Sequence, residues 1–303
     1  MYVRLRTLIP ATIAAGAAVA SYATVIERNW FALRRHEIPV LPPGSEPLRV
    51  LHISDSHLTP GRKRLMSWIR SLDDLDPHLV VSTGDSIAHP QAVTCFLDSL
   101  GPLLDRPGVF VLGSNDLHAP TMRNPLRYLL GPSSGIPLKK RAHLPWEKLC
   151  SGMTAAGWLD LNNRRGRLTA GGLDIALAGV HDSHIGKARY EEVAGHADPT
   201  ADLRIGVMHT PEPSTLDQFA ADGYDLLLAG HTHGGQVCLP FYGTLITNCG
   251  IERARARGLH RHPVGGQAWL HVSAGLGTAP TAPVRFACRP EASLLTLVPR
   301  DSG

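Results

Sequence analysis

The sequence predicts an α/β protein built from parallel strand–helix–strand units, with its chemistry at the strand ends. Three observations predict it. Short apolar runs of strand length alternate with helix-length amphipathic segments. Asp, Asn or His follows five of those runs. The chain has 303 residues, 43% hydrophobic and 18% charged, enough for a substantial core and too apolar for global disorder. That length suits one large domain or two smaller ones.

The N-terminus comes first. From Thr7 to Ile26, TLIPATIAAGAAVASYATVI carries no charge. As a helix it would be about 30 Å long, the hydrocarbon thickness of a bilayer. Pro10 falls in the first turn, where a missing N–H does little harm. A single-pass membrane anchor through residues 7–26 is therefore expected. The alternatives are a cleaved signal, with Ala18–Ala20 as its processing site, and a buried helix. Arg4 and Arg6 precede the run, and Arg28, Arg34 and Arg35 follow it. Positive charge on both flanks gives no orientation. Trp30 and Phe31 would sit at headgroup level. Pro and Gly in LPPGSEP (Leu41–Pro47) punctuate the chain. Residues 1–44 are thus read as anchor or signal segment plus linker, and 45–303 as the folded domain.

Within that domain LRVLHIS (Leu48–Ser54) is the first strand. KRLMSWIRSL (Lys63–Leu72) is a helix with Leu65, Ile69 and Leu72 on one face. HLVVSTG (His78–Gly84) and GVFVLGS (Gly108–Ser114) are strands flanking a helix at AVTCFLDSL (Ala92–Leu100). Residues 119–166, rich in Pro, Gly and basic side chains such as Arg123, Arg127, Lys139, Lys140 and Arg141, read as a cap or insertion. Strands resume at Leu173–Gly179, Leu203–His209, Tyr224–Gly230, Gln267–Ser273 and Ala292–Val298.

Several function classes drop out. A net charge of +4 tolerates an anionic substrate, but no basic stripe is interleaved with aromatics, so nucleic acid is not an expected partner. RARAR (Arg253–Arg257) is too short to change that. No GxxxxGK[ST] occurs, and no GxGxxG follows the first strand, which removes P-loop and dinucleotide readings. Five scattered cysteines without a CxxC exclude a complete disulfide framework and a Cys-rich zinc module. A Cys238–Cys249 bridge and free thiols both remain open. Nothing points to a protein partner.

The strand ends carry the positive signal, because ligands of α/β folds bind beyond the carboxyl ends of strands. In order they supply Asp55 and His57, then Asp85, then Asn115 and Asp116, then His209, then His231 and His233 in GHTHGG. An Asp after a strand is ordinarily a turn or cap residue. Turn chemistry gives no reason for histidines at the later ends. Carboxylate, imidazole and amide oxygen suit borderline divalent metals. One ion needs three or four ligands, so seven candidates, Asp116 left aside, argue for two. His231 and His233 are alternate positions, which share a side in an extended strand.

These blocks, DSH, GD, SND, MHTP and GHTH in that order, resemble those of the calcineurin-like metallophosphoesterase superfamily. The chain is most similar to its membrane-associated bacterial branch, related to the YkuE and YaeI phosphohydrolases. The similarity runs on through GQVCLPFYG and GLGTAPTAPVRF. The resemblance implies a four-layer α/β/β/α sandwich with two facing mixed sheets, here preceded by an N-terminal hydrophobic helix. It implies two divalent ions, with Mn, Fe or Zn the expected metals. Asp55, His57 and His233 would hold one, Asn115, His209 and His231 the other, and Asp85 would bridge. It also implies a bacterial cell-membrane location for the anchored chain.

Two departures bear on catalysis. The family commonly has a phosphate-contacting His after the Asn, where this chain has Asp116. His118, two residues on, or His184 in a second DSH could supply the proton, so Asp116, His118 and His184 are the candidate catalytic side chains. Ala88 replaces a supporting Asp. The implied reaction is direct hydrolysis of a phosphate ester or pyrophosphate by a hydroxide held between the ions. The substrate would be a phosphorylated small molecule or, beside an anchor, a lipid or cell-envelope compound. Alternatives are a phosphodiesterase or nuclease with the same ion pair, and a metal-containing binding protein whose catalysis has decayed.

Overall fold

In a computed structural model of the chain, residues 2–121, 141–265 and 268–300 are described. Part of the expected cap, residues 122–140 with Arg123, Arg127, Lys139 and Lys140, lies outside them.

Two six-stranded sheets organise the domain. The first contains β1 (Ala32–Leu41), β2 (Leu48–Ile53), β3 (Leu79–Ser82), β4 (Gly108–Phe110), β5 (Leu159–Asp160) and, after all the others, β14 (Glu291–Pro299). Its order is β1-β14-β2-β3-β4-β5. The second contains β6 (Arg164–Ala170), β7 (Leu173–Gly179), β8 (Leu203–Val207), β9 (Leu226–Ala229), β12 (Gly258–Arg261) and β13 (Trp269–Val272), in the order β12-β13-β9-β8-β7-β6. A two-stranded hairpin, β10 (Cys238–Leu239) and β11 (Gly243–Thr244), stands apart. β2, β3, β4 and β5 pair in parallel, as do β7, β8, β9 and β13. β14 runs antiparallel to β2, β6 to β7 and β12 to β13, so both sheets are mixed.

The central strands are covered on both faces, which is why they are apolar without alternation. Val50, Val81 and Val109 of the first sheet pack in one cluster with Ile175, Ile205 and Leu226 of the second. On the outer side of the first sheet, Leu51, Val80 and Phe110 meet Leu65 and Ile69 of α2 (Lys63–Ser71), Phe96 and Leu100 of α3 (Ala92–Leu100), and Leu149 and Met153 of a helix at Trp146–Ala155. The i, i+4 spacing of Leu65 and Ile69 puts both on one helix face. Outside the second sheet, Leu227 and Leu270 meet Leu216 and Phe219 of a helix at Pro213–Ala221, where Pro213 starts the helix without losing a hydrogen bond. Each fully buried Leu, Ile or Phe contributes about 1.5–3 kcal/mol of transfer free energy. The layers therefore run helix, sheet, sheet, helix, with one apolar cluster between the sheets and one outside each.

One polar pair interrupts the interior. His52 Nδ1 lies 2.8 Å from His271 Nδ1, and His52 Nε2 lies 3.0 Å from Thr83 Oγ1. Both rings are fully buried.

The N-terminal expectation is corrected. A helix does form, over Tyr2–Ser21, but among the described residues no helix is long and apolar enough to cross a membrane. The helical span explains this: it takes in Arg4 and Arg6, and its glycine, serine and threonines dilute its hydropathy. It also stops short of Ile26. Tyr22–Ile26 turns as a π-helical segment and Glu27–Asn29 as a 3-10 turn, and both are tied to the domain. The Arg285 N–H donates to Ala23 O at 3.0 Å, and the Glu27 carboxylate accepts from the N–H groups of Ala287 and Cys288. The single-pass anchor through residues 7–26, the membrane partner that it supplied, the lipid-linked substrate argued from it and the cell-membrane location argued from it are all withdrawn. The stretch read as a linker also contains β1, paired in parallel with β14. The described cysteines are free, and Cys238 clusters with Cys288 rather than Cys249.

Candidate metal centre

The centre forms where the carboxyl ends of β2, β3 and β4 meet those of β8 and β9. The turns there have unusual backbones. Asp55, His57, Asp85, His231 and His233 all have positive φ, between 41° and 68°. Such values are uncommon for residues with a Cβ and cluster at functional sites, where surrounding structure holds them. The bonds that hold them are identifiable. Asp55 N donates to Gly84 O and His57 N to Asp85 O, both at 2.9 Å. His231 N donates to Asp55 Oδ2 at 3.0 Å, linking the turn after β9 to the turn after β2.

Close backbone approach makes glycine necessary at two points. A Cβ on Gly84 would fall 2.4 Å from Gly113 N, and one on Gly113 would fall 2.2 Å from Asp85 Oδ1.

The side chains converge in two overlapping groups. Ligand atoms of Asp55, His57 and His233 lie within 4.8 Å of one another, and so do those of Asp55, Asp85 and His209. His57 Nε2 is 3.0 Å from His233 Nε2, and His233 Nε2 is 3.4 Å from Asp55 Oδ1. Asp55 belongs to both groups, and Asp85 Oδ2 also reaches across, 3.6 Å from His57 Nε2 of the first and 3.5 Å from His209 Nε2 of its own. Asn115 donates to both Asp85 oxygens, from its N–H at 2.8 Å and from Nδ2 at 2.6 Å. The His231 ring stands edge-on to His209, with centroids 5.2 Å apart, and its Nε2 lies 3.3 Å from Asn248 O.

Metal ions fit this donor set. Asp55 Oδ1 and His209 Nε2 are buried without hydrogen-bond partners, which would cost several kcal/mol unless something else satisfied them. Electrostatics agree. Burial would raise Asp85, but His209, His57 and the Asn115 bond outweigh it and hold the carboxyl well below its usual range. Asp55, buried and facing that charge, is pushed up. Burial, then His209, lowers His231 to about 4, and burial and His57 hold His233 well below its usual value, so both present neutral nitrogen. The arrangement is a dinuclear divalent-metal site.

The three candidate proton donors separate. Asp116 is fully buried, and its carboxylate accepts from the N–H groups of Ser86 (2.7 Å), Ile87 (3.1 Å) and Gly113 (3.0 Å). Burial and the Asp85 charge push it up to about 7 against those donors. It ties the turn after β3 to the turn after β4 and does not line the cavity over the centre. His118 is also buried, packs 4.7 Å from His143 and lies outside that cavity lining. His184 lines the cavity, its ring 4.8 Å from that of His231. Asp182 caps the turn that carries it, accepting from the His184 backbone N–H at 2.9 Å and from Thr210 Oγ1.

His231 and His233 do share the site, but not as alternate residues of a strand. β9 ends at Ala229, and His233–Gly235 is a 3-10 turn. Thr232 faces away and donates to Ala256 O at 2.6 Å. Sequence reasoning missed Thr83, whose carbonyl lies 2.6 Å from His209 Nδ1, and Arg285, which touches His233. The first is a backbone contact with no sequence signal. The second lies in the PVRF block and had no assigned role.

An α/β sandwich with two ligand groups at the strand ends defines a metal-dependent phosphohydrolase. The calcineurin-like phosphoesterase family model matches residues 48–235, and the chain belongs to that family. It is 26% identical over 310 residues to the metallophosphoesterase YkuE of Bacillus subtilis (strain 168), covering 94% of this chain and 93% of that protein. It is 30% identical over 291 residues to YpbG of the same organism, covering 94% of each. It is 26% identical over 284 residues to the phosphodiesterase YaeI of Escherichia coli (strain K12), covering 91% of this chain and 92% of YaeI. The protein hydrolyses phosphate esters at a dinuclear metal centre.

Proposed function

We propose that its substrates are phosphate esters with an apolar alcohol part. One observation carries this reading. The ligands open onto a cavity of about 390 Å³ whose lining includes Val237, Leu245, Ile246, Ala279, Ala282 and Val284. An apolar wall favours burial of an apolar leaving group, at about 25 cal/mol per Å² removed from water. Among the described lining residues Arg141 is the one lysine or arginine, so a polyanionic leaving group meets little complementary charge.

In this reading Asp55, His57 and His233 hold one ion, Asn115, His209 and His231 the other, and Asp85 lies between them. The ions, when bound, supply a water of lowered pKa and positive charge for the phosphoryl oxygens. Asp55 and Asp85 fix the charge of the centre, and Asn115 orients Asp85 through two hydrogen bonds. His184, at the edge of the cavity, gives its proton to the departing alcohol. The apolar wall excludes water from the leaving-group side. Near-full-length similarity to YkuE and YaeI supports grouping the chain with them, and the name of YaeI supports including diesters among the substrates.

The test compares kcat/KM for hexyl and phenyl phosphates, their diesters and nucleoside monophosphates, using Mn-loaded protein. Apolar esters should be preferred at least tenfold, and Leu245→Asp should reduce that preference. Equal or better turnover of nucleotides would refute the apolar assignment.

A further inference from the structure

We propose that Arg285 is the positioning residue of the first ion position: its guanidinium locks the turn carrying His233 to the segment that holds Asp55. Arg285 is 0% exposed. Nη1 donates to the His233 carbonyl at 2.8 Å, and Nη2 lies 3.1 Å from His233 Nδ1. The same Nη2 donates to the carbonyls of Ala274 and Gly277, both at 2.7 Å, with Gly275 O at 3.2 Å.

The 274–277 segment in turn grips the first ligand. Gly277 N donates to Asp55 O at 2.8 Å and Leu276 N to Ser54 O at 2.9 Å. Gly275 sits so close that a Cβ there would fall 2.7 Å from the Asp55 Cβ. A single planar cation thus spans the turn after β9 and the turn after β13, and through the latter fixes the turn after β2. Guanidinium suits this because it offers five N–H groups in a rigid fork and accepts nothing. Burying a cation among carbonyls costs several kcal/mol unless its geometry is used.

The second position is held by other bonds. His209 is fixed by Thr83 O, Asp85 by Asn115, and the intervening turns by Asp116. Loss of Arg285 therefore bears directly on the first ion position, while the second is reached only through His231 on the same turn and keeps its other bonds.

The proposal rests on the two-ion reading of the centre. Its test is titration of apo-protein with Co2+, followed by calorimetry and by the visible absorption of each site, with thermal unfolding recorded in parallel. Wild type should bind two ions. Arg285→Met should keep one near wild-type affinity and bind the other at least tenfold more weakly. His233→Ala should show the same selective loss, and the double variant should be no weaker than His233→Ala alone. Arg285→Lys keeps the charge but concentrates its donors on one atom, which cannot reach both turns, so it too should weaken one ion tenfold. Wild-type binding in both Arg285 variants, or equal weakening of both ions, overturns the proposal. So does a Lys variant that cannot fold, which would show a general structural role. Wild type that binds fewer than two ions overturns the two-ion reading itself and this proposal with it.

Discussion

The His209 ring is held from behind by Thr83: Nδ1 lies 2.6 Å from the Thr83 carbonyl oxygen, so Nε2 is the nitrogen turned toward Asp85. A carbonyl only accepts, so it selects the tautomer with its proton on Nδ1 and leaves a lone pair at the centre. Removing such backing partners typically costs about 10–100-fold in metal affinity or activity, and removing the ligand costs more. His209→Ala should lower kcat/KM by about 100-fold or more. Steady-state kinetics with metal analysis checks this, and an active variant with full metal content would contradict it.

Gly113 makes a second prediction. With Cβ positions 2.2 Å from Asp85 Oδ1 and 2.7 Å from His209 Cε1, Gly113→Ala must displace one of them. Activity should fall at least about tenfold, while urea unfolding of the metal-free protein shifts by only about 1–3 kcal/mol, the range for overpacking. The two measurements together separate local displacement from loss of the fold.

How much of this could be read from the sequence depends on what kind of signal each residue leaves. The parallel strands were legible because burial on both faces demands unbroken apolar runs such as LVVS. Asp55, His57, Asp85, Asn115, His209, His231 and His233 were legible as metal-capable residues because each follows such a run. The left-handed backbone at five of them was not, since no local rule puts Asp or His at positive φ; tertiary hydrogen bonds impose it. β1 was hidden because Arg34, Arg35 and Glu37 interrupt its apolar positions, and only pairing with a strand far along the chain makes it a strand. The anchor reading failed for a different reason. The helix stops at Ser21, so its span takes in Arg4 and Arg6 and leaves out the apolar residues between Tyr22 and Ile26.

If His184 protonates the leaving group, its loss should depend on leaving-group pKa. His184→Ala should slow alkyl phosphates by about 10²-fold or more, the usual range for general acid catalysis. Aryl phosphates, whose alcohols leave as stable anions, should slow much less. A uniform effect across both series would rule the role out and point to substrate binding.

The buried histidine pair sets an acid limit. Burial holds His52 down to about 3, and burial with the neighbouring histidines holds His271 well below its usual range. Unfolded, each titrates near about 6.5. Between those values the unfolded chain binds more protons than the fold, so stability is full above about 6.5 and is lost as pH falls through that window. The limiting slope is about 1.4 kcal/mol per pH unit for each histidine. Urea midpoints of the metal-free protein between about pH 4.5 and 7.5 should follow it. A His52→Leu/His271→Leu double variant should show a shallower dependence, and an unchanged slope would exclude the pair as its source.

The pairing of β1 with β14 has a consequence for how the protein is made. Arg34 and Glu291, joined at 2.8 Å, are 257 positions apart in the chain. β14 also separates β1 from β2, so neither has this neighbour until β14 leaves the ribosome. During synthesis the first sheet waits with an open edge, a template for pairing with other nascent chains. Ordering by sequence distance makes this closure the slow, late event of folding. Chaperone demand should therefore last until β14 emerges, after the residues of the metal centre have already done so.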